Sequence, residues 1–182
     1  CLVGSEMCIR DRMWIKKINE FFDNMSEYDN NSLSLHFAVD LIDVLKDRVK
    51  FSLDDDCNVS IVIQPYEDLK EETEVDEEGF LYWLQFTFHK ELIDIILSLK
   101  NKFESIQDNL KKLVNNIKVE ADEKKQNSIN EEIGKNEKEL DALKMILSRV
   151  DTYRRNTFNF LRDKESIEKI ITHIRIYKEQ SE

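Results

Sequence analysis

The sequence predicts an α+β fold that is predominantly α, with a small three-stranded antiparallel sheet packed on helices and a long antiparallel helical hairpin. Three observations predict it. Leu92, Ile96, Leu99, Phe103, Ile106, Leu110, Leu113 and Ile117 follow one another at alternating steps of four and three residues, an unbroken heptad seam. Two short runs, Val49 to Leu53 and Val59 to Ile63, and a longer one, Phe80 to Phe88, alternate with a period of two. The 182 residues include only three glycines and one proline, so turns are few and elements long.

Residues 1–12 resemble the in-frame translation of a transposase adapter used in sequencing libraries, and are set aside as an adapter-like scar. The stretch points to a metagenomic reading frame whose native start is left open. The remainder, Met13 to Glu182, is long enough for one domain with a core and an arm. Removing the scar deletes two acids and two bases, so the net charge stays at -11. An apolar content of 41% is too high for disorder, and the abundance of Asn, Lys and Ile suits an AT-rich bacterial or phage genome. No run of 18 apolar residues occurs, which predicts no membrane span. Outside the scar Cys57 stands alone, unable to form an internal disulfide or a thiolate cage, and this suits a cytoplasmic protein. No neighbouring base nominates it as a nucleophile, so it is read as a turn residue.

Two N-terminal helices come first. Trp14, Ile15, Ile18, Phe21, Phe22 and Met25 recur at helical spacing, and so do Phe37, Ala38, Leu41, Ile42, Leu45 and Val49. Asp40, Asp43, Lys46 and Asp47 are expected to face water. His36 and Asp40, one turn apart, could offer two metal ligands, but two on one helix are too few, and a surface pair is the better reading. The alternating runs at 49–53 and 59–63 are joined by Asp54-Asp55-Asp56-Cys57-Asn58 and read as a β-hairpin. Asp54, Asp56 and Asn58 match the first ligand spacings of a calcium loop, yet Val59 occupies the glycine position and Pro65 the glutamate position. A solvated turn is preferred.

Tyr66 to Glu78 carries Glu67, Asp68, Glu71, Glu72, Glu74, Asp76, Glu77 and Glu78 against Lys70 alone, a local charge of -7. This predicts a mobile solvated loop, or else a docking segment for a basic partner. Gly79 then releases the chain into a third strand whose core face is Phe80, Tyr82, Leu84, Phe86 and Phe88, with Trp83, Gln85 and Thr87 on the polar face. The long helix follows. The polar stretch from Val119 to Asn130 predicts a turn centred near Lys125, and Ser128-Ile129-Asn130-Glu131 has the form of a capping box starting the second arm. Ile133, Leu140, Leu143, Leu147 and Val150 complete the seam, with Ile117 set against Ile133, Leu110 against Leu140 and Phe103 against Leu147. Tyr153, Phe158, Phe160 and Leu161 return to the core, and Asp163 caps a last helix with Ile167, Ile170, Ile171, Ile174 and Tyr177 inside. The expected domains are thus a base, 13–91 with 151–182, and a projecting coiled-coil hairpin, 92–150.

No Walker loop, nucleophile elbow, zinc-protease helix or dinucleotide fingerprint is present, so no catalytic, cofactor-binding or metal residues are nominated. The reading is a non-enzymatic interaction or scaffold module that presents its hairpin, or its acidic loop, to a protein partner. Monomer and homodimer are both compatible with the seam. Two alternatives stand beside it. From Lys144 to Lys178 nine bases face four acids, and Arg154, Arg155, Arg162, Lys164, Lys169 and Arg175 are candidate phosphate contacts for nucleic acid. The chain would otherwise be the C-terminal part of a larger coiled-coil ATPase.

Overall fold

The computed structural model describes residues 9–24, 30–45, 47–56, 58–66, 68–162, 165 and 168–172. Two helices, α1 (Ile9–Asn24) and α2 (Asn30–Leu45), precede three strands, β1 (Val49–Leu53), β2 (Val59–Ile63) and β3 (Thr73–Val75). Two long helices follow, α3 (Glu77–Val119) and α4 (Glu123–Leu161). The fold is α+β and mostly α, with a three-stranded antiparallel sheet in the order β1-β2-β3. The chain divides into two compact units, one holding the residues up to Glu91 and from Tyr153 on, the other Leu92–Thr152.

In the first unit the β-hairpin forms where the alternation predicts it, with Val49 opposite Ile63, Phe51 opposite Ile61 and Leu53 opposite Val59. Ile61 and Ile63 are buried, and Lys50 and Ser52 on the alternate positions are exposed. The turn is closed by Asp54, whose carboxylate accepts from the backbone N–H groups of Asp56 and Asn58 at 3.0 and 2.8 Å and from Asn58 Nδ2 at 3.0 Å. Arg48 ties the sheet to α3, donating to the carbonyls of Gln64 and Pro65 while its guanidinium lies 5.4 Å from the Trp83 ring.

The third strand is not where the aromatic alternation places it. Residues 80–88 are helical and form the first turns of α3; the third strand is Thr73–Val75, inside the acidic stretch. Both periods are written into Phe80 to Phe88, and the helical one wins. Phe80, Trp83, Leu84, Thr87, Phe88 and Leu92 fall at steps of three and four and are all buried. No breaker separates them from the heptad seam downstream, and Asp76 supplies the cap: its Oδ1 accepts from the Gly79 N–H at 2.8 Å. A side chain on Gly79 would bring a Cβ to 3.1 Å from that same oxygen, so glycine keeps the cap uncrowded. Tyr82 and Phe86, expected inside, are 75% and 63% exposed, and Trp83 and Thr87, expected on the polar face, are buried.

The aromatic core of this unit is built by α1, α2, α3 and the end of α4. Trp14 packs edge-on to Phe88 and Tyr153, and Phe21 meets Phe37 and Tyr153 at centroid distances of 5.1 and 5.4 Å. Such contacts add to the area buried. The Trp14 indole N–H donates to Glu91 Oε2 at 2.8 Å, and Arg10 pairs with the other oxygen at 3.0 Å. The helix therefore begins within the adapter-like stretch, at Ile9. Of the expected terminal stripe, Ile170 and Ile171 are buried, and Ile167, Ile174 and Tyr177 lie outside the described residues.

In the second unit the two heptad stripes close on each other. Leu92, Ile96, Leu99, Ile106 and Leu113 of α3 are buried, with Phe103, Leu110 and Ile117 half-buried; on α4 Leu143 and Val150 are buried, with Ile133, Leu140 and Leu147 half-buried. The connection is shorter and earlier than expected. Residues 120–122 join the helices, and α4 starts at Glu123 rather than at the Ser128 capping box. Asp122 is the cap, accepting from the Lys124 N–H at 2.9 Å and, through its carbonyl, from the Gln126 N–H at 2.9 Å. Glu, Lys and Gln are good helix formers, so a polar run of them extends a helix as readily as it interrupts one. Between the two helices Lys102 pairs with Glu139 at 3.5 Å, and Lys144 Nζ lies 5.9 Å from the centre of the Phe103 ring.

Candidate functional site

A buried polar cluster lies inside the first unit, on faces expected to be apolar or solvated. Asp40 projects from α2 between Phe37, Leu41 and Val44, at a step of the buried stripe, and is 5% exposed. It is not the surface residue its carboxylate suggests. Tyr153 of α4, fully buried, donates its hydroxyl to Asp40 Oδ2 at 2.8 Å. Lys17 Nζ on α1 lies 3.6 Å from Asp40 Oδ1 and 2.8 Å from Asp43 Oδ2, and His36 Nε2 lies 3.4 Å from Asp40 Oδ2. Three helices thus deliver a phenol, an ammonium and an imidazole to one carboxylate.

Electrostatics follow from burial. Desolvation raises the Asp40 pKa above the usual carboxylate value, against the opposing pull of the Tyr153 hydroxyl, His36 and Lys17. Tyr153 is pushed well above the ordinary phenol value, first by burial and then by the neighbouring carboxylate. Lys17 has the opposite balance: burial lowers its pKa, but its bond to Asp43 and the charges of Asp40 and Asp43 outweigh that and raise it. In the sequence the cluster is legible only as one acid out of place, since Asp40 occupies the step between Phe37 and Leu41 that an apolar residue would fill. Its partner, 113 positions away, carries no local signal.

The acidic candidates divide between loop and regular structure: among the described residues Asp68, Glu71 and Glu72 lie outside helix and strand, whereas Glu74, Glu77 and Glu78 lie within them. Glu74 sits on β3, accepting from Ser60 Oγ at 2.9 Å, and Glu72 pairs with Lys50 on β1. Asp76 caps α3, and Glu77 and Glu78 open its first turn, where the helix dipole favours negative charge. Asp68 and Glu71 are exposed, and Glu67 lies outside the described residues. The described basic candidates differ in exposure. Arg154 is half-buried, Arg155 and Lys169 are exposed, and Arg162 lies 5.7 Å from the Phe158 ring. Lys164 and Arg175 lie outside the described residues.

The second unit carries an open polar hollow of about 610 Å³ beside Ile106, lined by Asn101, Glu104, Asn109 and Asn136 among others. Among the described residues no group of three or more His, Cys, Asp or Glu side chains could hold a metal ion, and no helix is long and apolar enough to cross a membrane. No protein-family model, curated protein or solved structure matches this chain.

Proposed function

We propose that this protein is a non-enzymatic interaction or scaffold module that presents its helical hairpin to a protein partner. One observation supports the reading: the seam residues within Leu92–Thr152 are all buried or half-buried, so the two helices use them on each other. Many of its outward positions are charged or amide side chains, among them Lys112, Asn115, Glu132 and Lys138, all exposed. Leu97, Val114, Val119 and Met145 are exposed among these polar positions, so the hairpin offers a mixed outer face, with apolar contacts inside a polar rim as interfaces use them. The Asp40 cluster serves this reading as an anchor that ties α1, α2 and α4 together in the first unit.

The test is quantitative affinity capture from host cells with the full chain and with a variant whose distal hairpin, residues 105–137, is replaced by a short Gly-Ser turn. A partner retained by the full chain and lost from the shortened one is expected. Identical recovery by both, or none by either, would overturn the reading.

A further inference from the structure

The exposed face of α3 in the first unit has a pattern that repeats every fourth residue. Glu78, Tyr82, Phe86 and Lys90 are all exposed, and the two aromatic side chains are among the most exposed large apolar side chains of the described residues. Residues four apart form one of the ridges by which helices pack on one another, and two such ridges interlock at about -50°. Among the described residues neither Glu78 nor Lys90 forms an ion pair within the chain. Gln85, on the flank of the ridge, donates to the Leu161 carbonyl at 2.8 Å and fixes α3 against α4, so the ridge is held on a rigid support.

The order acid, aromatic, aromatic, base reads as its own complement when reversed. A two-fold axis midway between Tyr82 and Phe86 sets Tyr82 of one copy against Phe86 of the other, and by the same operation Glu78 against Lys90. An isologous interface requires this reciprocity, in which residue i meets j and j meets i. A ridge bearing one sign of charge would repel its own copy. We infer that this ridge is a self-association surface through which two copies of the chain dock antiparallel on α3, with Tyr82 and Phe86 at the centre and Glu78 and Lys90 as the charged rim.

The surface is small. Two aromatic side chains per copy bury at most about 200 Å² each, which puts the pair below the standard interface size and makes the dimer weak and concentration-dependent. The inference stands apart from the hairpin reading, because it is tested on purified protein with no other partner present.

Sedimentation of the full chain between about 10 µM and about 1 mM is expected to show the mean mass rising towards twice the chain mass. Phe86→Ala should abolish that rise, with far-UV circular dichroism unchanged because the side chain is exposed. Glu78→Lys and Lys90→Glu, each alone, turn both rim pairs repulsive and should weaken the dimer about tenfold. The double variant carrying both exchanges restores the complement and should recover the parent constant to within about twofold. A mass that stays monomeric throughout the range overturns the inference. So does an intact dimer in Phe86→Ala, or a double variant as weak as the single ones.

Discussion

Tyr153 and Asp40 hold each other through a 2.8 Å hydrogen bond where both are buried, one reaching in from the far end of α4 and the other from α2. A buried carboxylate is tolerated only when its partners replace the water it has lost. Removing the donor is therefore expected to cost more than a typical surface change. Tyr153→Phe keeps the ring contacts with Trp14, Phe21 and Phe37 and deletes only the hydroxyl. At neutral pH it should destabilise the fold by about 1–3 kcal/mol in urea titration, the range for orphaning a buried polar group. The deficit should shrink as pH falls through the raised Asp40 value, because the protonated acid is the form the interior prefers. A pH-independent deficit, or none, would show that the hydroxyl does not serve the carboxylate.

The alkaline limb of stability has a definite sign. Tyr153 is raised above 10.0 and Lys17 above 10.5, so the fold favours the protonated form of each. Their contribution is whole below those ordinary values and is lost as pH rises through the higher folded ones. Thermal denaturation from pH 8 to pH 11.5 should therefore show Tm falling beyond about pH 10. In Tyr153→Phe that fall should be shallower, since only Lys17 then contributes. Parallel curves for the two proteins would count against Tyr153 as a source.

Helix and strand make opposite demands on residues 80–88, and alanine substitutions separate them. In a strand Tyr82, Leu84, Phe86 and Phe88 would share one buried face. In α3, Leu84 and Phe88 are 1% exposed, whereas Tyr82 and Phe86 look outward. Leu84→Ala and Phe88→Ala should each cost about 2–5 kcal/mol, and Tyr82→Ala about 0.5 kcal/mol or less. Comparable losses at all of these positions would restore the strand.

Gly134 lies in the interior of α4, and an added Cβ there meets nothing within 4 Å. Gly134→Ala should stabilise the hairpin by about 0.5–1 kcal/mol through helix propensity and a less flexible unfolded chain. Amide hydrogen exchange along α4 is the direct measure, with slower exchange expected near position 134. Faster exchange would mean the glycine is needed for a bend.

The heptad seam, the β-hairpin and the two N-terminal helices were legible because each is a periodicity imposed by one partner face. Residues 80–88 were misread because aromatic side chains alternate at two and recur at three and four in the same nine positions. Local pattern cannot choose between those periods; the cap at Asp76 and the uninterrupted seam beyond Leu92 do. The position of the turn was less legible, because Glu, Lys and Gln favour helix and carry α4 back to Glu123. Asp122 was overlooked as a cap in favour of the fuller capping box at Ser128. The Asp40 cluster could be suspected from one acid at a core step, but its phenol comes from another helix, and no spacing rule reaches that far.

Both tryptophans, Trp14 and Trp83, belong to the first unit and are enclosed, one beside Glu91 and the other under Arg48; Leu92–Thr152 contains none. Intrinsic fluorescence therefore watches one unit only, while circular dichroism at 222 nm sums the helices of both. The protein carries its own pair of independent spectroscopic reporters. Coincident melting curves would mean that the two units unfold as one cooperative body, and a helical signal that outlasts or precedes the fluorescence change would resolve them without a single label.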